Sequence, residues 1–147
     1  MKIYVASSWR NEYQPVVVRT LREDGHEVYD FRESEVNGHK NGFRWSEIDI
    51  DWQNWTPKRY LECLHNELAD IGFRNDMDAL RSCDICVYVM PCGVSASLEM
   101  GWAKGAGRHV IAYVPALREP DLMVKMADHV TDDLEEVRSF CNQIVSC

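Results

Sequence analysis

A single carboxylate follows an apolar run near residue 90. The stretch PCGVSASLEMGW, residues 91–102, comes directly after ICVYVM and places Glu99 among small side chains. Ser95 or Ser97 is suited to capping a helix there, which puts Glu99 in or near the first turn, where the helix dipole favours an ionised carboxylate. A carboxylate kept charged at a pocket can attack an electrophilic carbon, as in glycosidases. The same dipole equally explains an ordinary acidic helix residue.

Two further groups of residues have side chains suited to the same chemistry. Asp76 and Asp78 precede the run ICVYVM and either cap a helix or supply a second carboxylate for acid–base catalysis. Trp9 and Arg10 follow the first apolar run of the chain. Trp9 either stacks on a planar base or packs under a neighbouring loop, and Arg10 is suited to binding a phosphate.

Alternating strands and helices are expected to position these residues. Apolar runs predict strands over residues 2–6, 26–31, 85–90, 109–115 and 129–130. Helical spacing and end signals predict helices over residues 13–25, 57–71, 75–83, 95–105, 119–127 and 132–145. This order predicts an α/β protein, a single-domain three-layer αβα sandwich over residues 1–147. Its five-stranded parallel sheet is expected to take the flavodoxin-like order 2-1-3-4-5.

Ligands of such sheets bind beyond the carboxyl ends of the strands, where the strand order reverses. Here the reversal falls between the first strand, which ends near Ala6, and the third, which ends near Met90. We therefore expect the fold to bring together two loops that are distant in sequence, residues 7–12 and residues 91–99. Trp9, Arg10 and Glu99 belong to these loops.

Residues 32–56 do not follow the alternating pattern. The segment is polar and contains Gly and Asn, yet it carries Trp45, Trp52 and Trp55. It is predicted to be a Trp-rich loop insertion, and long loops in compact domains are often lids or binding loops. A small satellite core of these tryptophans is the other interpretation.

Composition limits the classes of partner and location. The 147 residues carry a formal net charge of −8, which argues against a nucleic-acid polymer but leaves room for a small phosphorylated ligand. No run approaches the roughly 18 apolar residues of a membrane span, and the N-terminus is unlike a signal peptide, so a cytoplasmic protein is expected. The histidines show no metal-ligand spacing. Cys83 and Cys86 form a lone CxxC, and reduced, mostly buried cysteines fit best.

Three segments together resemble a known family. IYVASSWR, NDMDALRSCDICVYV and GVSASLEMGWAKGAGRHVIAYV look like the nucleoside 2-deoxyribosyltransferase family, which includes the 2′-deoxynucleoside 5′-phosphate N-hydrolases and related nucleotide N-glycosidases. The likeness extends over about 100 residues. It implies that Glu99 is the nucleophile that attacks C1′ of the sugar, and that Asp76 contacts the nucleobase and assists its protonation as it leaves.

The resemblance also implies substrate-binding residues and a partner. Tyr4, Ser8, Trp9 and Arg10 match positions near the substrate in the first loop. The segment EPDLMVKM resembles one that reaches into a neighbouring subunit, which implies a homodimer in which Asp121 and Met123 act across the interface. An acid that the transferases use near the sugar, six residues before the nucleophile, is replaced here by Gly93. Ser95 and Ser97, at a helix N-terminus, suit a phosphate better than a hydroxyl.

The expected reaction is cleavage of the N-glycosidic bond of a (deoxy)nucleoside or nucleotide through a covalent glycosyl-Glu99 intermediate, with transfer of the deoxyribosyl group to another base. Hydrolysis of a nucleoside 5′-monophosphate is the alternative. A non-catalytic nucleotide-binding module and an NAD glycohydrolase are more remote alternatives. No metal or organic cofactor is expected, because a pair of carboxylates suffices for this chemistry.

Overall fold

The computed structural model describes residues 1–144 and forms two compact units. The first unit contains residues 1–29 and the described chain from residue 80 onward, and the second contains residues 30–79. The second unit is thus longer than the insertion expected at residues 32–56. That all of the chain makes up one domain stays a prediction. Among residues 1–144, no helix has the length and apolar character needed to cross a membrane.

The elements alternate along the chain largely as expected. The strands are β1 (Lys2–Ala6), β2 (Glu27–Tyr29), β3 (Glu35–Val36), β4 (His39–Lys40), β5 (Ile85–Val89), β6 (His109–Tyr113) and β7 (His129–Thr131). The α-helices are α1 (Gln14–Glu23), α2 (Pro57–Cys63), α3 (Glu67–Ser82), α4 (Val94–Gly105) and α5 (Leu134–Ile144). The last helix was predicted to reach Val145, which lies outside the described residues. The helix predicted over residues 119–127 is a 3₁₀ segment, Leu122–Met126.

The first unit is built on a five-stranded parallel sheet in the order β2-β1-β5-β6-β7. Because β3 and β4 pair only with each other, this is the predicted order 2-1-3-4-5, and the prediction is confirmed. Every residue of β5 is buried, since this central strand is covered on both faces. The ladder between β1 and β5 ends at the pair Ala6 and Tyr88.

Helices cover both faces of this sheet, as predicted. On one face the alternate strand residues Ile3, Val87 and Ile111 pack with Leu21 of α1 and Val137 of α5 in a single apolar cluster. On the other face lies α4, which contacts β1, β5 and β6 and buries Ala96, Met100 and Ala103. An ion pair joins the two helices of the first face. Arg138 of α5 donates to both carboxylate oxygens of Asp24, at 2.6 and 2.8 Å.

The second unit contains regular structure where a loop was expected. Its strands β3 and β4 form a hairpin whose turn, Asn37-Gly38, has positive φ at both residues. Asn-Gly favours this type of turn. Short 3₁₀ segments follow at Trp45–Glu47 and Trp52–Asn54. The unit therefore contains a hairpin and two 3₁₀ segments within the expected loop, followed by α2 and α3.

The predicted division of residues 57–83 into two helices at residues 71–75 is wrong. The break lies earlier, at residues 64–66, and α3 continues through Gly72 without interruption. A Cβ at Gly72 would lie 2.7 Å from Cβ of Phe43, so the glycine allows the helix to approach Phe43 closely. Asn66 begins α3, with its side-chain oxygen accepting from the Leu68 N–H at 2.9 Å. Gly72 therefore serves packing and does not end a helix.

Candidate functional site

Two loops of the first unit meet at the edge of the sheet where the strand order reverses. Ser7 Oγ donates to the carbonyl oxygen of Val89 at 2.9 Å. Asn11 Nδ2 donates to the same oxygen at 3.3 Å and to the carbonyl oxygen of Pro91 at 2.9 Å. Through these hydrogen bonds, the contact between the β1 and β5 ends of the sheet extends beyond the last backbone pair of their ladder. The predicted meeting of the loops at residues 7–12 and 91–99 is confirmed.

Asn11 also fixes the start of α1. Its Oδ1 accepts from the backbone N–H groups of Tyr13 and Gln14, at 2.8 and 2.9 Å. The side chain is 4% exposed, so both of its ends are engaged away from water. Sequence reasoning missed this residue. The available signal was an Asn shortly before a helix that contains Pro15 in its first turn, where Asn is favoured.

The helix that carries Glu99 begins differently from the prediction. Its N-cap is Gly93, in extended conformation and without a capping side chain, so the assignment of Ser95 or Ser97 as N-cap is wrong. Ser97 Oγ instead donates to the Gly93 carbonyl at 3.2 Å and pairs with the Tyr88 hydroxyl at 2.9 Å. Glu99 consequently lies in the second turn of α4, half-buried, and not in the first. The helix dipole therefore favours the charged form of Glu99 less than it would in the first turn.

Several polar groups cluster around the Tyr88 hydroxyl and the Cys92 thiol. Burial raises the pKa of Tyr88 to about 12, with the hydrogen bond to Cys92 adding to the shift and the one to Ser97 opposing it. Burial also raises the pKa of the Cys92 thiol, and the carboxylates of Glu99 and Asp121 add smaller contributions. Ser97 therefore contacts the Tyr88 hydroxyl directly, and the carboxylates of Glu99 and Asp121 act on the Cys92 thiol electrostatically. Both Tyr88 and Cys92 remain protonated at neutral pH and are suited to hydrogen bonding, not to nucleophilic attack.

The other predicted residues of the first unit lie along β1 and its loop, on α4 and in the 3₁₀ segment after β6. Tyr4 is fully buried and stacks on Tyr29, with ring centroids 5.2 Å apart. Ser8 and Trp9 are half-buried, and Arg10 is exposed. Ser95 and Met123 are also exposed. Their binding roles stay predictions.

Asp76 and Asp78 belong to the second unit. Both lie in the middle of α3, so the interpretation that they cap a helix is wrong. Asp76 is half-buried and Asp78 is exposed. Neither residue caps the helix because α3 continues through Gly72 and begins nine residues upstream of Asp76. The catalytic role of Asp76 stays a prediction.

The second unit contains an aromatic pocket of about 420 Å³. Its lining residues are Trp45, Trp52, Trp55, Thr56, Pro57 and Tyr60. The tryptophans predicted to form a lid or a satellite core thus line a cavity.

Within residues 1–144, no group of three or more His, Cys, Asp or Glu side chains could hold a metal ion, and the five cysteines of that range are free thiols.

Three solved structures share the fold of this chain. One is a 2-deoxyribosyltransferase of Bacillus psychrosaccharolyticus, 21% identical with a TM-score of 0.63, over 93% of this chain and 90% of that one. A CMP N-glycosidase of Clostridium botulinum is 14% identical with a TM-score of 0.52, over 97% and 99%. A conserved protein of Enterococcus faecalis V583 is 16% identical with a TM-score of 0.61, over 97% and 98%. The chain matches no protein-family model and no curated protein. At these identities the likeness establishes the fold.

Proposed function

We propose that this protein is an enzyme that cleaves the N-glycosidic bond of a (deoxy)nucleoside or nucleotide through a covalent glycosyl-Glu99 intermediate. The observation that carries the proposal is the location of Glu99 on α4, beside the loop that Asn11 joins to the loop after β1. Ligands of such sheets bind at this edge. The sequence motifs around Glu99 resemble those of the nucleoside 2-deoxyribosyltransferases. Two proteins of similar fold are a 2-deoxyribosyltransferase and a CMP N-glycosidase, which supports the same chemistry.

The proposed reaction is a double displacement. A carboxylate oxygen of Glu99 forms a bond to C1′ while the bond from C1′ to the base nitrogen breaks, and the electron pair leaves with the base. Asp76 is the proposed group that assists protonation of the departing base, a role that comes from the sequence resemblance. A second base then attacks C1′ and receives the deoxyribosyl group, which restores the Glu99 carboxylate. These steps need only carboxylates and a nucleophile.

Hydrolysis of a nucleoside 5′-monophosphate is the second candidate function, and Gly93 favours it. Gly93 takes the place of the sugar-contacting acid of the transferases, and a Cβ added there would meet nothing within 4 Å. The first turn of α4, which follows Gly93, offers backbone N–H groups and the exposed hydroxyl of Ser95. A helix N-terminus of this kind binds phosphate. In this version water takes the place of the acceptor base.

We also propose that the protein works as a homodimer, in which Asp121 and Met123 contribute to the site across the interface. The support is an apolar surface beside the site. Val94, Leu98 and Trp102, spaced four residues apart on α4, are 77%, 68% and 36% exposed. Sedimentation of the purified protein tests this, with Leu98→Asp expected to give monomers if the second copy covers this surface. A monomeric wild type contradicts it. A cytoplasmic location stays a prediction.

Chromatographic detection of base release tests the proposed function. The protein is incubated with nucleosides, deoxynucleoside monophosphates and NAD, with and without a free acceptor base. Exchange that requires the acceptor indicates a transferase, and release without it indicates a hydrolase. Release from NAD alone indicates an NAD glycohydrolase. Binding of nucleotides without any release indicates a non-catalytic module and contradicts the proposal.

A further inference from the structure

The aromatic pocket of the second unit is a site that the proposed function does not require. Its volume of about 420 Å³ falls in the range of small-molecule pockets, about 300–1,000 Å³. All of its lining residues come from residues 45–60, and four of the six are aromatic. None of these six residues carries a charge. A short stretch of chain thus forms the whole wall.

Three of the four aromatic side chains of the pocket, Trp45, Trp55 and Tyr60, contact other aromatic rings of the same unit. The ring of Trp45 stands edge-on to Phe43, Trp55 and Tyr60, at centroid distances of 4.9, 5.6 and 6.0 Å. Trp55 donates its indole N–H to Asp49 at 2.9 Å. Because these aromatic side chains are already held in place, less conformational entropy is lost when a ligand binds.

The polar groups beside the pocket are engaged with one another. Thr56 Oγ1 accepts from the Arg59 N–H at 3.2 Å and caps α2. The Arg59 guanidinium lies 4.0 Å from the Asp49 carboxylate and 6.0 Å from the centroid of the Trp55 ring. Pro57 has no backbone N–H to offer. A ligand in this pocket is therefore recognised mainly through contacts with the faces and edges of the aromatic rings.

We propose that this pocket binds an uncharged planar heteroaromatic ring of bicyclic size. Such rings stack on aromatic side chains and need no charged partner. A quaternary ammonium ion is the other common ligand of aromatic pockets, but the Arg59 guanidinium already places a positive charge over Trp55. A proline-rich peptide needs an extended groove with several such pockets. The proposal concerns residues of the second unit alone and holds whether or not the protein cleaves N-glycosidic bonds.

Caffeine, a neutral bicyclic ring, is the probe. The chain has five tryptophans, whose indole N–H groups give five separate nuclear magnetic resonance signals. Titration of the full chain with caffeine is expected to shift the signals of Trp45, Trp52 and Trp55, with a Kd of about 1 mM. The signal of Trp102, outside the pocket, is expected to stay in place. Tetramethylammonium, tested in the same way, is expected to bind at least about tenfold more weakly.

Two variants locate the binding. Trp52→Ala is expected to weaken caffeine binding about tenfold, whereas Trp102→Ala, which removes a tryptophan elsewhere, leaves the Kd unchanged. If Trp52→Ala does not fold, as judged by circular dichroism, the exposed Tyr60 provides the test through Tyr60→Ala against Tyr60→Phe. The proposal is overturned if caffeine shifts none of the three pocket signals, or if the pocket variants bind as tightly as wild type. Tighter binding of tetramethylammonium or of a proline-rich peptide overturns it as well.

Discussion

Asn11 and Pro91 are joined by a hydrogen bond of 2.9 Å, from Nδ2 of the asparagine to the carbonyl oxygen of the proline, across 80 positions of sequence. Pro91 lies two residues before Gly93, the N-cap of the helix that carries Glu99. The oxygen of the same Asn11 side chain holds the start of α1. One buried side chain therefore sets the loop that carries Trp9 and Arg10 against the loop that leads to Glu99.

Asn11→Asp separates these two functions. The carboxylate can still accept from Tyr13 and Gln14, but it cannot donate to the carbonyls of Val89 and Pro91 and is repelled by them. We expect kcat/KM for base release to fall about 10- to 100-fold, because small displacements of reacting groups cost that much. The protein should remain folded by circular dichroism. Steady-state kinetics on the folded variant measures the effect.

Asn66→Asp is the matched control for Asn11→Asp, since Asn66 caps α3 through its oxygen in the same way. Its kcat/KM should equal that of wild type. A carboxyl group buried against carbonyl oxygens has a raised pKa, and its protonated form can donate. The activity of Asn11→Asp relative to wild type should therefore recover as the pH falls from about 8 towards about 5. If Asn11→Asp is as active as wild type at neutral pH, the hydrogen bonds from Asn11 to Val89 and Pro91 do not position the residues around Glu99.

Gly93→Asp tests the basis of substrate choice. The added side chain enters open space, so no loss of stability is expected. Its charge lies where a 5′-phosphate is proposed to bind and should repel it. We expect the ratio of kcat/KM for a nucleoside to that for its 5′-monophosphate to rise about tenfold. Gly93→Asn, which has the same size without the charge, should change this ratio little. Equal effects of Asp and Asn would argue against a phosphate at this position.

Gly72→Ala tests the packing that lets α3 run uninterrupted. Alanine favours a helix by about 1 kcal/mol over glycine. At this position, however, its Cβ would lie 2.7 Å from Cβ of Phe43, and overpacking typically costs about 1–3 kcal/mol. Denaturant unfolding should show a net loss of free energy of unfolding. Gly105→Ala, in open space at the end of α4, should instead stabilise the protein by up to about 1 kcal/mol. Stabilisation by Gly72→Ala would refute the close approach.

Asp24→Asn should lower stability in a pH-dependent way. Hydrogen bonds from Arg138 lower the pKa of Asp24 in the folded protein. A carboxyl group whose pKa is lower folded than unfolded stabilises above its unfolded pKa, about 3.9, and this contribution is lost as the pH falls through the folded value. Thermal unfolding at neutral pH should show a loss of about 1 kcal/mol, modest because the ion pair is partly exposed.

The control for this pair is Glu135→Gln, because Glu135 also binds Arg138 but is largely exposed. We expect it to have a smaller effect than Asp24→Asn. The difference between wild type and Asp24→Asn should shrink as the pH falls below about 4 and disappear once the pH is below the folded pKa of Asp24. A difference that persists at lower pH would mean that the loss arises from packing and not from charge.

The sheet was predictable because its strands are continuous apolar runs separated by helical patterns, as in ICVYV of β5. The location of Glu99 near the reversal of strand order followed from that topology. The start of α4 was not predictable, because Ser97 is engaged by the hydroxyl of Tyr88, a contact that exists only in the folded chain. The course of α3 through Gly72 likewise depends on Phe43, which is distant in sequence. The link from Asn11 to Val89 and Pro91 was not predictable, because the acceptors are backbone carbonyls, which carry no sequence signal.

The role of Glu99 as the nucleophile is tested most directly by comparing Glu99→Gln with wild type on the substrate that releases its base fastest. We expect the variant to release base at least about 10³-fold more slowly, because an amide cannot replace the carboxylate nucleophile. Mass spectrometry of acid-quenched wild type should find the sugar attached to the peptide that contains Glu99. Release of base by Glu99→Gln at the wild-type rate, or a sugar attached to another residue, would contradict the proposed glycosyl-Glu99 intermediate.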